Sequence, residues 1–547
     1  MIHDLCPTMA ETEKILRFPG RIEFPKITIG QSILENLQKR AHQVFQVDAY
    51  TGKTMTRYEL LEKSIRLAVG LQDWGLNSDD IVSISSETQL NWFVVACAAM
   101  FLGNPLAPFN PSYTEMELLH SLNIVKPRII FVSRITYEVV HRAAQKQSWK
   151  IELIQLDDEN PITDILTLGG IISQRRQWPD PLGYQATAVS EPFRKEAIIL
   201  QSSGTTGLPK GVMLSHKNML ASVFMAKNFQ FEDFSNASVI LTVIPLHHGF
   251  GFLIMLSVIH SNATTIMMKS FDPKLFCESI QKYRVTILPI VPALLGFLAK
   301  NPIVSNYDFR SLRQIMFGSA PSSHQLIGLV EDRLKNKNLI LRNGYGMTEL
   351  SIVTHICNIG SKKKLSVGPV QTALELKIVD RETGKSLGPN ETGELCCKGD
   401  HVMLGYKGNP QATAEVIDSN GWLHTGDLAF YDNDGDLFIS GRLKELIKYK
   451  GFQVAPAEIE HLLGAHSEVV DVAVVGKPDD IAGEVPLAFV VKTTGSDVTA
   501  EELCKFVSER LSSPKHLRGG VRFIDAIPRN SNAKILRREL LLLLAKL

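Results

Sequence analysis

A glycine-rich stretch, Gln201–Gly211, constrains the fold of this chain more than any other feature. It follows the short apolar run Ala197–Leu200, which predicts a buried strand, and it precedes Ser215, a good N-cap for a helix over about 216–229. The stretch is therefore predicted to form a loop between a strand and a helix. Three glycines, hydroxyl-bearing neighbours and a lysine in that position suit an oxyanion-rich ligand.

The residue types of this loop fit phosphate oxygens. Glycines let backbone N–H groups close around the oxygens, hydroxyls add donors, and a lysine adds charge. The order of residues excludes a Walker loop, because Pro209 precedes the lysine and Gly211 follows it. The residues predicted to hold phosphate are Ser202, Ser203, Gly204, Thr205, Thr206, Gly207 and Lys210.

The composition is that of an ordinary globular protein. The 547 residues are 44% hydrophobic and 21% charged, which allows several domains and a large core. The 58 Lys and Arg residues balance 57 Asp and Glu residues, so no nucleic-acid partner is predicted. Seven cysteines are scattered without a CxxC pair, which favours a reducing compartment over a disulfide framework or a zinc site.

The termini and the apolar runs bear on location. Residues 1–11 carry early acidic residues and no apolar segment, so no signal peptide is predicted. The runs 92–102 and 239–259 predict no transmembrane segment, because the first is too short and the second contains a proline and two histidines. The ending Ala545, Lys546, Leu547 is a close variant of the Ser-Lys-Leu address, which predicts binding to the peroxisomal import receptor and location in the peroxisome.

Apolar strands alternate with amphipathic helices in the N-terminal part. Strands are predicted at 80–84, 105–108, 128–132, 238–244, 262–267, 285–290 and 312–317, and two of the helices at 89–101 and 114–123. This alternation predicts a parallel, helix-covered sheet. From about 372 to 440, short strands and glycine turns predict an antiparallel sub-domain. Within it, Asp432–Asp436 is interpreted as a hairpin turn, because it lacks the sixth-position glycine and closing glutamate of a calcium loop.

The predicted fold is α/β: a large N-terminal domain of helix-covered, mostly parallel sheets with a small β sub-domain, and a small α+β C-terminal cap on a hinge. The predicted boundaries are 1–440 for the large domain, including the sub-domain at 372–440. The hinge is predicted at 441–442, and the mobile cap at 443–547.

Two further motifs carry polar residues in a particular order. In Asn343–Glu349, Gly344 and Gly346 would leave the ring of Tyr345 free for a planar base to stack on. Thr348 and Glu349 then offer a hydroxyl and a carboxylate where phosphate and Mg²⁺ could meet. In Trp422–Asp427, the carboxylate after Thr-Gly could accept hydrogen bonds from vicinal ribose hydroxyls, or it could merely cap a turn.

Two other stretches are ambiguous from their residues alone. Pro528–Lys534 leads into a basic helix over 535–544, and Lys534 is predicted to be displayed at the loop exit rather than buried. Pro245–Gly251 contains His247 and His248, which could be packed core histidines. No metal-ligand spacing links this pair to other residues.

Four of these motifs, in this order, resemble the signatures of the adenylate-forming enzymes, which include acyl-CoA synthetases, 4-coumarate–CoA ligases and beetle luciferases. The four are Ser202–Gly211, Asn343–Glu349, Trp422–Asp427 and Pro528–Lys534, so the resemblance covers nearly the whole chain. It implies ATP, Mg²⁺, coenzyme A and a carboxylic acid as the ligands. Two positions depart from the pattern: Ala533 stands where the family usually has glycine, and Gly441 where many relatives have aspartate.

The resemblance also implies nucleotide-binding roles. The matching tyrosine stacks on adenine, the threonine touches phosphate and the glutamate helps to hold magnesium. The aspartate binds ribose, and an arginine supports that contact. The turn after a predicted strand contacts adenine. The residues of this chain at those positions are Tyr345, Thr348, Glu349, Asp427, Arg442, Gly318, Ala320 and Pro321.

Roles in the chemistry are implied for four more positions. Lys534 would neutralise charge on the α-phosphate and the carboxylate as the anhydride forms. His248 would lie beside the carboxylate pocket as a gate, not as an essential base. Lys448 and Gly451 match the part of the cap that approaches the acyl group and CoA. Because Lys448 and Lys534 lie near opposite ends of the cap sequence, rotation about 441–442 could present each in turn.

The favoured hypothesis is an acyl-CoA ligase for a medium- or long-chain fatty acid, acting through acyl-AMP. A luciferase-like monooxygenase or a 4-coumarate-type aryl-CoA ligase is the alternative. Both the His-His-Gly-Phe-Gly stretch and the terminal tripeptide resemble beetle luciferases, which tend to have serine where this chain has Ile352. Apolar Ile352 suits an alkyl chain. An inactive nucleotide-binding protein is a third reading, and an amino-acid-activating module is disfavoured because no carrier domain is attached.

Overall fold

The computed structural model of the protein describes residues 8–10, 14–18, 23–39, 42–175, 177–202, 209–228, 238–261, 263–319, 322–450, 452–530 and 534–545. Its strands, in chain order, are β1 (Thr8–Ala10), β2 (Ile15–Arg17), β3 (Val44–Asp48), β4 (Thr54–Thr56), β5 (Val82–Ser85), β6 (Leu106–Phe109), β7 (Ile129–Val132), β8 (Glu152–Gln155), β9 (Leu166–Thr167), β10 (Glu196–Ser202), β11 (Lys210–Ser215), β12 (Val239–Thr242), β13 (Thr264–Met267), β14 (Ile287–Ile290), β15 (Gln314–Phe317), β16 (Ile340–Tyr345), β17 (His355–Ile356), β18 (Leu374–Val379), β19 (Gly393–Gly399), β20 (Gly405–Tyr406), β21 (Leu423–Tyr431), β22 (Leu437–Arg442), β23 (Ile447–Tyr449), β24 (Phe452–Val454), β25 (Val469–Asp479), β26 (Gly483–Lys492) and β27 (Gly520–Phe523).

The α-helices follow the same numbering by chain order. They are α1 (Ile29–Gln38), α2 (Arg57–Asp73), α3 (Trp92–Leu102), α4 (Glu115–Val125), α5 (Tyr137–Gln145), α6 (Leu168–Ile172), α7 (His216–Asn228), α8 (Gly249–Ser261), α9 (Pro273–Lys282), α10 (Pro292–Lys300), α11 (His324–Leu334), α12 (Pro410–Ala414), α13 (Pro456–Gly464), α14 (Ala500–Ser508) and α15 (Arg537–Ala545). Their starts follow local chemistry: Thr56, for example, caps α2 in a reciprocal capping box with Glu59.

Two eight-stranded, mostly parallel sheets form the N-terminal part. Their strand orders are β20-β11-β10-β6-β5-β7-β8-β9 and β17-β16-β15-β14-β12-β13-β3-β4. Helix α3 is apolar on every side, and all of its residues are buried. The predicted α/β class is confirmed, and every strand and helix predicted above is present with its ends displaced by three residues or fewer.

The position of the glycine-rich stretch differs from the prediction. It does not join a strand to a helix: it joins β10 to β11, which pair in an antiparallel hairpin in which Ser202 lies opposite Lys210. Strand β11 was not predicted. It forms because Val212 and Met213 also pair with β20, so the chain after the loop lies between two strands before α7 begins.

A six-stranded antiparallel sheet, in the order β1-β2-β18-β19-β21-β22, forms a separate layer. Its two N-terminal strands were not predicted. The turn at Asp432–Asp436 joins β21 to β22, and the Lys363 ammonium lies 2.6–2.9 Å from the carboxylates of Asp432, Asp434 and Asp436. A lysine therefore supplies the positive charge at this acidic turn.

The C-terminal part has its own sheet, β24-β23-β26-β25, with β27 beside β26 and α13, α14 and α15 packed around it. Lys300 of α10 joins the two parts, because its Nζ donates to the Val469 carbonyl at 2.6 Å. The predicted boundaries and the hinge at 441–442 stay predictions. Within the described residues, no helix is both long and apolar enough to cross a membrane.

Candidate active site

The glycine-rich hairpin supplies two described residues to the site. Ser202 is buried at the end of β10, and Lys210 is half-buried at the start of β11. The predicted phosphate-loop residues Ser203, Gly204, Thr205, Thr206 and Gly207 lie outside the described residues. Beside the loop, both polar atoms of the Gln201 amide are buried without a partner among the described residues. Such atoms suit a polar ligand or the loop itself.

Tyr406 connects Lys210 to Glu349, and sequence reasoning missed it. The Lys210 Nζ lies 4.6 Å from the centroid of the Tyr406 ring, and the Tyr406 hydroxyl donates to Glu349 Oε1 at 3.0 Å. Pairing of β20 with β11 sets this position, since Tyr406 lies opposite Val212. A tyrosine in a two-residue strand gives no periodic signal, so only the strand pairing reveals it.

Tyr345 ends β16 and is only 9% exposed. The expectation that its flanking glycines free the ring for stacking stays a prediction, and backbone packing gives the glycines here a second requirement. A Cβ at Gly346 would lie 1.9 Å from the Ile352 carbonyl oxygen, and a Cβ at Gly318 would lie 2.5 Å from the Gly344 carbonyl. These glycines are required by close backbone packing around the tyrosine. The predicted residues Ala320 and Pro321 lie outside the described residues.

Asp427 is the buried anion at the centre of the site. Its Oδ2 accepts a hydrogen bond from the Tyr345 hydroxyl at 2.7 Å, and its Oδ1 pairs with Arg442 Nε at 3.1 Å. Register places Asp427 opposite Arg442 across β21 and β22. Burial raises the pKa of Asp427 above its ordinary value, while the charge of Arg442 opposes the rise. Ribose hydroxyls would compete with Tyr345 for Oδ2.

Lys534 lies against this cluster and is only partly exposed, which corrects the expectation that it is displayed at the loop exit rather than buried. The residue is half-buried, held where its N–H donates to Asn530 Oδ1 at 3.0 Å and its carbonyl accepts from the Asn530 N–H. Burial lowers the pKa of Lys534, and Arg442 lowers it further, while Glu349 and Asp427 act in the opposite direction. The fourth motif thus converges on the second and third.

His248 is half-buried, and it lies close enough to Lys534 to feel its charge. Burial lowers its pKa to about 4, and the positive charge of Lys534 adds to the effect. Its Nδ1 accepts the Phe250 N–H at 3.3 Å. A histidine with so low a pKa is neutral near pH 7 and is a weak general base. This state fits a gate beside the reacting groups better than a proton acceptor.

Thr348 is half-buried in the 3₁₀ turn Thr348–Leu350, next to Glu349. By contrast, Lys448 is exposed on β23, and its backbone N–H donates to Glu484 Oε2 at 2.8 Å. No contact among the described residues joins the Lys448 side chain to the cluster. Gly451, predicted with it, lies outside the described residues. This arrangement therefore presents Lys534, and not Lys448, to the site.

An apolar wall adjoins the polar cluster. Ile352 is buried with φ +85°, and a Cβ at Gly249 would lie 2.8 Å from its Cγ1 and 3.2 Å from Leu200 Cδ1. A β-branched residue rarely adopts this conformation. It persists because the Ile352 N–H donates to the Met347 carbonyl at 3.0 Å.

The donor set fits a nucleotide. Lys210, Arg442 and Lys534 supply cations, Asp427 can accept hydrogen bonds from hydroxyls, and Glu349 is a carboxylate that could hold a divalent ion. A nucleotide-binding site under a small C-terminal cap is thus the class of site that this fold carries.

The similarity of this chain to known proteins agrees with a nucleotide-binding site. Residues 34–407 match the AMP-binding enzyme family, and residues 458–534 match the AMP-binding enzyme C-terminal domain. The chain belongs to this adenylate-forming family, as its motifs predicted.

Individual relatives cover most of the chain. A luciferin 4-monooxygenase of Photuris pensylvanica is 41% identical over 495 residues, which are 90% of each chain. A probable 4-coumarate–CoA ligase of Dictyostelium discoideum is 36% identical over 532 residues, 96% of each chain. The crystal structure of ATP-bound MatB from Rhodopseudomonas palustris superposes with a TM-score of 0.84 at 25% identity, covering 94% of this chain and 98% of that one.

Proposed function

We propose that this protein is an ATP-dependent acyl-CoA ligase. It joins a carboxylate to the α-phosphate of ATP, which releases pyrophosphate, and it then transfers the acyl group from the acyl-AMP to the thiol of coenzyme A, which releases AMP. The observation that carries the proposal is the convergence of Asp427, Arg442, Glu349 and Lys534 on one site. Relatives named as 4-coumarate–CoA ligases support it.

The charges of the site suit the first step. A carboxylate attacking a phosphate brings two anions together, and fixed cations lower that barrier. Lys210 and Lys534 would face the phosphate and carboxylate oxygens, Asp427 would bind ribose, and Glu349 would hold Mg²⁺, which screens the phosphate charge when bound. Tyr345, Gly318 and Gly344 would surround adenine.

The apolar wall supports an aliphatic acid. Ile352 and Leu200 close around Gly249 near neutral His248, so this wall of the site carries no charge. A medium- or long-chain fatty acid fits such a wall. The test is pyrophosphate release over a series of acids of increasing chain length and a set of aryl acids, with CoA present. Turnover that rises with alkyl length supports the proposal, and a preference for hydroxycinnamates would replace it with a 4-coumarate-type ligase.

A luciferase-like monooxygenase is the second candidate, because luciferin 4-monooxygenases are 35–41% identical to this chain. Apolar Ile352 argues against a heteroaromatic substrate. Light emission with luciferin and ATP, measured beside pyrophosphate release, separates the two activities. An inactive nucleotide-binding protein would release no pyrophosphate with any acid.

Measuring the two half-reactions separately tests the role of Lys534. Rotation of the cap about 441–442 would replace Lys534 with Lys448 and Gly451 near the acyl group and CoA. Lys534→Ala should slow acyl-AMP formation by about 100-fold or more, because a charge close to the transition state is lost. It should leave thioester formation from supplied acyl-AMP unchanged. Lys448→Ala is the matched variant and should show the reverse. Equal loss of both steps in either variant contradicts the rotation.

The location proposed for the protein is the peroxisome, through Ala545, Lys546 and Leu547. A fluorescent protein fused to the N-terminus should accumulate in peroxisomes, and deletion of the last three residues should leave it in the cytosol. Unchanged distribution after the deletion would overturn this location.

A further inference from the structure

Three potential metal ligands meet on the antiparallel sheet. Glu394 and Cys396 are two residues apart on β19 and so lie on one face of the strand, and register places Cys396 opposite His424 on β21. His424 Nδ1 lies 3.1 Å from Glu394 Oε2 and 3.4 Å from Cys396 Sγ. All three donor atoms lie within 4.8 Å of one another. Among the described residues, no other such group of three occurs.

These separations are close to the edges of a tetrahedral site. With Zn–N and Zn–O near 2.1 Å and Zn–S near 2.3 Å, the expected N–O and N–S edges are about 3.4 and 3.6 Å. The nitrogen therefore already lies at nearly the required distance from both of its partners. Cys396 and Glu394 would complete the site by approaching each other to about 3.6 Å, and solvent would supply the fourth ligand.

The surroundings also suit a cation. Asp418 Oδ2 lies 3.8 Å from His424 Nε2, the position of the outer carboxylate that orients many ligating histidines. The His424 side chain is 34% exposed, which gives an ion access from solvent, whereas Cys396 is fully buried. Lys377, which pairs with Cys396, carries a positive charge that would disfavour a bound cation. Its ammonium is directed to the Trp422 ring, 4.4 Å from the ring centroid.

The cluster is attached to the bulge that carries Asp427. Glu394 pairs with Leu428, and Cys396, two residues further along β19, pairs with His424, four residues earlier on β21. The two extra residues of β21 form the bulge. Glu394 Oε1 accepts the Gly426 N–H at 3.2 Å within that bulge. An ion on Oε2 would therefore immobilise the carboxylate that holds the residue before Asp427.

We propose that Glu394, Cys396 and His424 form a binding site for a divalent transition-metal ion of the zinc class, distinct from the magnesium expected at Glu349. Sulfur, nitrogen and oxygen donors together favour such an ion over Mg²⁺ or Ca²⁺. Cys396 binds as thiolate and its proton passes to solvent. The ion stabilises the bulge between β19 and β21.

Co²⁺ is the probe that tests this site, because a cysteine thiolate gives Co²⁺ a charge-transfer band that oxygen and nitrogen ligands do not. The full-length protein without an affinity tag should bind one Co²⁺ with that band, and Zn²⁺ should displace it. Cys396→Ala should lose the band and bind at least tenfold more weakly. Cys397→Ala is the matched control, since the neighbouring side chain points to the opposite face of β19, and it should keep both.

Thermal unfolding gives a second readout. Zn²⁺ should raise the Tm of the wild type and of Cys397→Ala but not that of Cys396→Ala. If Cys396→Ala does not fold, Cys396→Ser replaces it and should show the same loss. Absence of the band in the wild type, its persistence in the Cys396 variants, or its equal loss in Cys397→Ala would overturn the proposal. None of these outcomes bears on ligase activity.

Discussion

Tyr406 holds two charged groups of the site at once, through its ring and its hydroxyl. Lys210 lies over the ring, and Glu349 accepts the hydroxyl hydrogen. Tyr406→Phe keeps the ring and removes only the hydroxyl. A hydrogen bond to a charged group contributes about 1.5–3 kcal/mol, so acyl-AMP formation should fall about 10- to 100-fold. Pyrophosphate release measures the fall.

Tyr431→Phe is the control, because the Tyr431 hydroxyl donates to the Leu387 carbonyl at 3.2 Å in a different, six-stranded sheet. It should retain wild-type activity. Equal activity of the two variants would mean that the Glu349 carboxylate does not need the Tyr406 hydroxyl.

Buried histidines should make the fold sensitive to acid. Burial lowers the pKa of His355 to about 3, and nearby His401 adds to the effect. An unfolded histidine titrates near pH 6.5, so between about pH 6.5 and 3 unfolding takes up a proton that the native site excludes. The contribution of neutral His355 to the free energy of unfolding is therefore complete above pH 6.5. It falls by about 1.4 kcal/mol per pH unit as the solution is acidified.

His355→Gln should therefore weaken the dependence of Tm on pH between 6.5 and 4, whatever its effect on Tm at neutral pH. His42→Gln is the control, because His42 is exposed. A Tm profile parallel to that of the wild type in His355→Gln would contradict the assignment.

At the scale of elements, the turn after β16 depends on a close backbone approach. A Cβ at Gly346 would lie 1.9 Å from the Ile352 carbonyl, whereas a Cβ at Gly328 in α11 would meet nothing within 4 Å. Gly346→Ala should destabilise the protein by about 1–3 kcal/mol and weaken ATP binding. Gly328→Ala should be neutral or stabilising by up to about 1 kcal/mol, because alanine favours a helix interior. Chemical denaturation and ATP titration of the two variants measure the difference.

The hairpin of β10 and β11 contains one strand that the local sequence pattern predicts and one that it does not. The apolar residues of β10 predicted a strand, and Ser215 predicted the start of α7. Local pattern did not reveal β11, because its strand character depends on pairing with β20, which is almost two hundred residues further along the chain.

For the whole molecule, Lys300 links the large domain to the cap through the Val469 carbonyl. Burial lowers the pKa of Lys300, which reflects the cost of removing this ammonium from water, and the hydrogen bond to the Val469 carbonyl offsets part of that cost. Lys300→Met should weaken the arrangement that brings Lys534 to the site and slow acyl-AMP formation about tenfold. Thioester formation from supplied acyl-AMP should not slow. Lys274→Met, on the exposed surface of α9, is the control.

Stopped-flow measurement of acyl-AMP formation and of thioester formation in Lys300→Met and Lys274→Met tests this prediction. Equal slowing of both steps would show that Lys300 supports the fold in general and does not favour one arrangement of the cap.

The sequence by itself determined the fold class, the four polar motifs and the family, because each depends on residues close together in the chain. Strand and helix periods, capping residues and the order of glycines, lysines and acids are all local.

Only the tertiary structure decided how these parts meet. Tyr345 reaches Asp427 across 82 positions of sequence, Lys534 lies close to charged residues of the second and third motifs, and Tyr406 joins Lys210 to Glu349. Cysteine spacing favoured no zinc site, yet register brings Cys396 to His424 and Glu394. The physical reason is that strand pairing and burial depend on partners far away in the chain, so contacts and pKa values emerge only when those partners are in place.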